Sequence, residues 1–395
     1  MERIKTRSFA RAGFLGNPSD GYYGKTLSFA FANYCVDLSL TESARMRFVP
    51  GEVDDAMFDS PEQLVHDLRL FGYYGGIRML KAVAKLFFEY CFDHGVALPR
   101  RNFTAEYRTN IPRLVGLSGS SAICSAMLKG LMKFYGVEIP LELAPTICLE
   151  AERDELGINC GFQDRVIQMY GGLVFMDFDR DYVKAHNRGI YEPLDPSLIS
   201  GGHSSLRTGD RCAPVESAPI PASIEQSEQS EQSEQSNNPN NRAINLYVAF
   251  DPNRAEDSGK AHRKVKSMFE AKKPDILAAM SEFADIAQQG RDALVGGHPE
   301  RIPALVNANF DLRDRIFDVA EQNRNMVMVA RSAGASAKFA GSGGAIVGTY
   351  ADEAQFQLLK ARLATIGCTT IKPVIGTRDL ESAEVADAET RWRNS

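Results

Sequence analysis

Apolar and polar residues alternate over Asn102–Thr109, with Phe103, Ala105 and Tyr107 on one face, which predicts a strand. Beyond it the period changes. Ile123, Met127, Leu128, Leu131, Met132 and Tyr135 recur at helical spacing, and Gly136 stands where a C-terminal cap belongs. Residues 5–15 and 26–40 read as strands, the second with Leu27, Phe29 and Phe31 alternating. Ile77–Cys91 reads as a helix closed by Gly95, and residues 141–156 as a helix with Pro145 near its first turn. Arg165–Tyr170 is a short helix, followed by Gly171, Gly172 and a strand over Leu173–Phe178. Further on, the pattern predicts a strand over 244–250 and helices over 260–269, 281–294 and 305–322. A glycine-rich turn and strand over 337–349 and a helix over 353–366 follow. The mixture argues for an α+β or α/β fold, and periodicity does not choose between them.

One segment breaks the pattern. From Gly201 to Asn241 the chain is rich in Gly, Ser, Pro and Asn, with four tandem Glu-Gln-Ser units at 225–236. It can bury little, so ordering it would cost entropy without return. The expectation is a disordered insertion, 201–242, dividing an N-terminal domain (1–200) from a C-terminal one (243–380), with a tail at 381–395. The net charge of −6 invites neither nucleic acid nor an anionic membrane as partner. No apolar run reaches the ~18 residues of a spanning helix. The N-terminus leads into a strand, not an apolar signal core. The seven cysteines are scattered, with no CxxC pair, so structural zinc is not expected and a reducing, cytoplasmic setting is. Oligomeric state is not readable.

The strand at 102–109 and the helix ending at Tyr135 are joined by Gly116-Leu-Ser-Gly-Ser-Ser121. A glycine loop running into a helix N-terminus gathers unpaired N–H groups at the positive end of the helix dipole, and so suits an anion. A plain loop with a serine cap is the alternative. Other phosphate motifs fail: Gly24-Lys25-Thr26 lacks the earlier glycine of a P-loop, since Ser19 stands there. Gly341-Ser-Gly-Gly344 is not the dinucleotide fingerprint. Downstream, Glu152 and Asp164 flank a turn, with Asp164 near a helix N-terminus. A carboxylate and a serine hydroxyl would suit Mg²⁺, a hard ion that takes oxygen ligands. Taken alone, Asp164 reads equally as a cap and Glu152 as part of a solvated face.

Three segments in order resemble the signatures of the GHMP kinases: Arg11–Tyr22, the Gly116–Ser121 loop, and Gly334–Gly344. More narrowly, Gly13–Asp20, Gly72–Arg78, Asn110–Arg113, Gly116–Ala122, Gln163–Arg165, Asp257–Lys260 with His262, and Phe339–Ala345 resemble the glucuronokinases of plants. The resemblance implies ATP- and Mg²⁺-dependent phosphorylation of a small sugar acid, D-glucuronate, at its anomeric hydroxyl. Galacturonate, arabinose or galactose as acceptor, or a silent sugar sensor, are alternatives. It implies a two-domain α+β fold, the first domain like ribosomal protein S5 domain 2 and the second ferredoxin-like. By the same resemblance Gly116, Leu117, Ser118, Gly119, Ser120 and Ser121 wrap the ATP phosphates, while Ser121 and Glu152 hold Mg²⁺. Asp164 is then the catalytic aspartate and Arg11 its partner. Asp20 binds sugar hydroxyls, and Gly341, Gly343 and Gly344 allow close backbone approach. A uronate also needs a cation for its C6 carboxylate, and Lys25, Arg78 and Arg113 are candidates. Two departures stand out: Asn17-Pro18 replaces the Glu-His of galactokinase and mevalonate kinase, and the phosphate loop is one residue longer than the common form.

Overall fold

The structure is a computed structural model that describes residues 3–51, 75–200, 244–252 and 259–381. The expected insertion at 201–242 lies outside the described residues, as do residues 72–74 and 257–258 of the sequence motifs. In chain order the elements are β1 (Arg3–Leu15), β2 (Lys25–Ser43), β3 (Arg47–Phe48), α1 (Gly76–Asp93), β4 (Asn102–Thr109), α2 (Gly119–Tyr135) and α3 (Ala144–Glu150). Then come α4 (Gln163–Tyr170), β5 (Leu173–Asp177), α5 (Arg180–His186) and β6 (Ile190–Leu194). The rest are β7 (Asn245–Phe250), α6 (Gly259–Glu270), α7 (Pro274–Val295), α8 (Ile302–Ile316), α9 (Glu321–Ser332), β8 (Lys338–Phe339), β9 (Ala345–Tyr350), α10 (Glu353–Ala364) and β10 (Thr369–Ile371).

Strand β2 is the spine of a six-stranded sheet. β1 runs antiparallel along one edge, so the other edge takes β4 against Val36–Ser43 and β5 against Lys25–Phe29. Both faces of β2 are covered, which is why its apolar positions run nearly unbroken. Leu27, Phe29, Phe31, Leu38 and Leu40 belong to the main core with α1, α2 and α7. Ala30 and Ala32 face the other way, into a cluster with Phe9, Val166, Ile167, Val174 and Met176. A second, four-stranded sheet has the order β10-β7-β9-β8 and packs Tyr247, Phe339 and Ile346 against α8, α9 and α10.

The chain departs from the sequence reading in three places that matter. The helix expected over 305–322 is two helices, α8 and α9, because Phe317 turns into extended backbone (φ −108°, ψ 146°). The helix expected over 141–156 ends at Glu150 and widens into a π turn over Ala151–Glu155, with Glu152 fully buried. Finally, residues beyond β10 do not stay with the second sheet. Val374 and Gly376 hydrogen-bond Ala32 and Ala30 of β2, in the gap between β4 and β5. Among the described residues no helix is long and apolar enough to cross a membrane.

Candidate active site

β1 is buried on both faces from Thr6 to Leu15, which puts Arg11 inside the protein, where it is 5% exposed. Its Nε donates to Asp164 Oδ1 at 2.6 Å, and one terminal nitrogen donates to Gly116 O at 2.7 Å and Ala340 O at 3.0 Å. One guanidinium thus ties together the glycine-serine loop, the first turn of α4 and the loop after β8. Ser118 holds a left-handed backbone (φ 63°) at the cap position of α2, yet its hydroxyl does not cap the helix. It donates to Asp164 Oδ2 at 2.6 Å instead. The loops approach too closely for side chains. A Cβ on Gly116 (φ 77°) would lie 2.4 Å from Gly343 O, and one on Gly341 would lie 2.4 Å from Gly116 O.

These groups open on a cleft of about 400 Å³. Burial alone would raise the Asp164 carboxyl. The charges of Arg11 and Arg165, with hydrogen bonds from Arg11 and Ser118, outweigh it and hold the carboxyl at about 2. Asp20 goes the other way. Burial and the neighbouring Asp164 charge lift it to about 6, against the Gln163 N–H, Arg11 and Arg165.

Arg11, Asp20, Arg113, Gly116, Leu117, Ser118, Gly119, Ser120, Asp164 and Gly341 all line the cleft. Other sequence candidates do not. Lys25 reaches Asp177 (3.1 Å) and Gln288 (3.0 Å), away from the cleft. Arg78 is exposed on α1 and is not among the lining residues. Gly343 and Gly344 stand behind the lining; Gly343 instead offers the carbonyl that crowds Gly116.

Neither residue of the expected Mg²⁺ pair is on the cleft lining. Ser121 is fully buried and its hydroxyl turns back to Ser118 O at 3.2 Å. Glu152 is fully buried and off the cleft, and its Oε2 accepts from Arg165 Nε at 2.6 Å. Its Oε1 has no hydrogen-bond partner, while Oε2 pairs with the Arg165 guanidinium. Arg165 also donates to Gly161 O at 2.8 Å and lies 3.7 Å from Asp164 Oδ2. Glu152 therefore acts here as the counter-ion of Arg165.

Sequence reasoning missed two cleft groups and one buried cation off the cleft lining. Arg313 lines the cleft and donates to Gly341 O (3.0 Å) and Ser342 O (2.8 Å), bracing that loop. Its signal was a cation on the apolar stripe of α8, in line with Ile302, Val306 and Phe310. Gln163, 3% exposed, lines the cleft beside Asp164. Lys338 is 1% exposed and hydrogen-bonds Gly13 O, Phe339 O and Asn17 Oδ1. Its signal was a lone lysine among small and apolar residues, Ala335–Ala340.

Residues 78–172 match the GHMP kinases N terminal domain. Glucuronokinase 1 of Arabidopsis thaliana is 38% identical over 379 residues, 94% of this chain and 91% of the relative. Probable glucuronokinase 2 of the same plant is 40% identical over 348 residues, 86% of this chain and 82% of its own length. Among solved structures, the Lin0012 protein from Listeria innocua superposes with a TM-score of 0.68 at 13% identity, covering 95% of this chain and 98% of that one. Galactokinase of Lactococcus lactis, complexed with galactose, gives 0.66 at 12% identity over 95% and 94% of the two chains. The structural likenesses carry the two-domain GHMP kinase fold, and the sequence identity runs nearly end to end. The chain belongs to the GHMP kinases, and within them to the glucuronokinase family.

Proposed function

We propose that this protein transfers the γ-phosphoryl group of ATP to the anomeric hydroxyl of D-glucuronate, giving D-glucuronate 1-phosphate and ADP. One observation carries the reading: an ionised Asp164 sits on the cleft between Arg11 and Ser118, where the Gly116–Ser120 loop opens. The glucuronokinase relatives supply the acceptor. The first N–H groups of α2 and its dipole receive the ATP phosphates. Asp164 accepts a hydrogen bond from the anomeric hydroxyl and aims its oxygen at the γ-phosphorus. The new O–P bond forms as the bond from phosphorus to the β,γ-bridging oxygen breaks. ADP leaves with that electron pair, and the hydroxyl proton passes to Asp164. A carboxyl held at about 2 is a weak base, so the proton moves late, after O–P bonding has made the hydroxyl acidic. Arg11 steadies the charge on Asp164. Mg²⁺ belongs to this reading as the counter-ion that ATP brings, and no step is routed through Glu152. A coupled ADP-release assay across uronic acids and neutral sugars tests the proposal. Turnover is expected with glucuronate; preference for a neutral sugar would overturn the acceptor, and no turnover with any sugar would overturn the kinase reading.

A further inference from the structure

We infer that Asn17, with its amide orientation set by the buried Lys338, is the group that receives the C6 carboxylate of the sugar acid. The inference rests on the activity proposed above and names the part of the cleft that selects a uronate. Asn17 lines the cleft and is 4% exposed. Its backbone is fixed, since its carbonyl accepts from Asn309 Nδ2 at 3.1 Å while Gly16 N–H donates to Asn309 Oδ1 at 2.6 Å. Lys338 Nζ donates to the oxygen of the Asn17 amide. The amide nitrogen is then the other end, and it makes no hydrogen bond among the described residues. Asn17 therefore offers the cleft two N–H donors and no acceptor, which suits a carboxylate.

The charge around it agrees. The hydrogen bonds of Lys338 all go to neutral oxygens: Gly13 O at 2.7 Å, Phe339 O at 2.7 Å and the Asn17 amide. Burial, then the charges of Arg313 and Arg11, push its ammonium well below the usual lysine range. A substrate carboxylate seated on Asn17 brings the opposite charge that this end of the cleft needs. Lys338 holds Gly13 and Arg11 holds Asp164, so both groups hang from β1, two residues apart. Gln163 sits alongside: a Cβ on Gly13 would lie 2.6 Å from Gln163 Nε2 and 3.1 Å from Asn17 Cγ. The buried Gln163 Oε1 makes no hydrogen bond among the described residues.

The test compares the wild type with Asn17→Asp and Asn17→Ala, using glucuronate, glucose and ATP. Asn17→Asp keeps the shape and the Lys338 contact but sets a carboxylate against a carboxylate. The glucuronate KM should rise ~100-fold, the ATP KM should hold, and discrimination against glucose should shrink. Asn17→Ala should raise the glucuronate KM ~10-fold with the ATP KM again unchanged. If the wild type uses glucuronate and both variants, or the one that folds, keep its KM, this inference fails and the proposed activity stands. If the wild type phosphorylates only a neutral sugar, the proposed activity fails and the inference goes with it.

Discussion

Arg11 and Arg165 flank Asp164, so its charge is secured before any substrate arrives. Asp164→Asn keeps the size of the side chain and removes that charge. We expect kcat to fall at least ~10³-fold while ATP still binds, measured by ADP release and by calorimetry. A variant with wild-type kcat would remove Asp164 from the chemistry. Asp20 gives a second test at this scale. In its proposed role toward sugar hydroxyls it accepts best when ionised, and burial with the Asp164 charge lifts its ionisation to about 6. The value of kcat/KM for the sugar should therefore decline with a one-proton slope below about pH 6, and Asp20→Asn should lose that limb. The two aspartates act oppositely on stability. The raised Asp20 contributes stability that is complete below the unfolded value near 3.8 and is lost as pH climbs through about 6. The depressed Asp164 contributes stability above 3.8 that is lost as pH falls toward about 2. Motif order pointed to Asp164 and Arg11 in the sequence, and the structure pairs them. It could not show Arg165, the very next residue, turning back to claim Glu152, because that pairing depends on the π turn after α3.

The loops and that turn carry consequences of their own. Glu152→Ala leaves the Arg165 guanidinium buried without its counter-ion, which costs about 3–5 kcal/mol. Urea unfolding should show that loss, while the Mg²⁺ concentration for half-maximal ATP binding stays at the wild-type value. A large shift in the Mg²⁺ requirement would restore Glu152 as a metal ligand. Gly116→Ala meets two obstacles, a left-handed backbone at φ 77° and a carbonyl oxygen 2.4 Å from the new Cβ. The loop must then separate from Gly341–Gly344, so the ATP KM should rise ~10-fold or more. Elements with a local signal were legible: α1 and α2 announce themselves by apolar spacing and by Gly95 and Gly136. The break between α8 and α9 was not, because no Gly or Pro occurs over Ile316–Ala320. Tertiary contacts make that corner: Phe317 packs into the main core, and Arg324 reaches Asp314 at 2.7 Å. The short strands β6 and β10 were missed for a similar reason, since each is defined by its pairing, β6 with β5 and β10 with β7 far back along the chain.

At the scale of the whole molecule, the chain finishes its work on the first sheet after completing the second. Ala32 N–H donates to Val374 O at 2.7 Å, Gly376 N–H to Ala30 O at 2.8 Å, and Gly172 N–H to Gly376 O at 2.8 Å. Asn33 Oδ1 accepts from Val374 N–H at 2.8 Å, and Lys129 pairs with Glu381 at 2.6 Å with both side chains 13% exposed. Sequence pattern placed residues 243–380 in one C-terminal unit, since nothing local marks Val374–Gly376 as the filler of a gap in another sheet. Residues 374–381 therefore act as a strap between the two sheets, fastened at a point remote from the cleft. Cutting the chain after Pro373 removes the four hydrogen bonds and leaves Lys129 half-buried without its carboxylate. At ~1 kcal/mol per bond the loss is about 4 kcal/mol before the ion pair is counted. The thermal midpoint should fall clearly. The kcat and both KM values of the protein that remains folded should hold, because none of these residues lines the cleft. An unchanged midpoint would mean that the first sheet closes without the strap. A lost kcat at an unchanged midpoint would mean that the strap acts on the site and not on the fold.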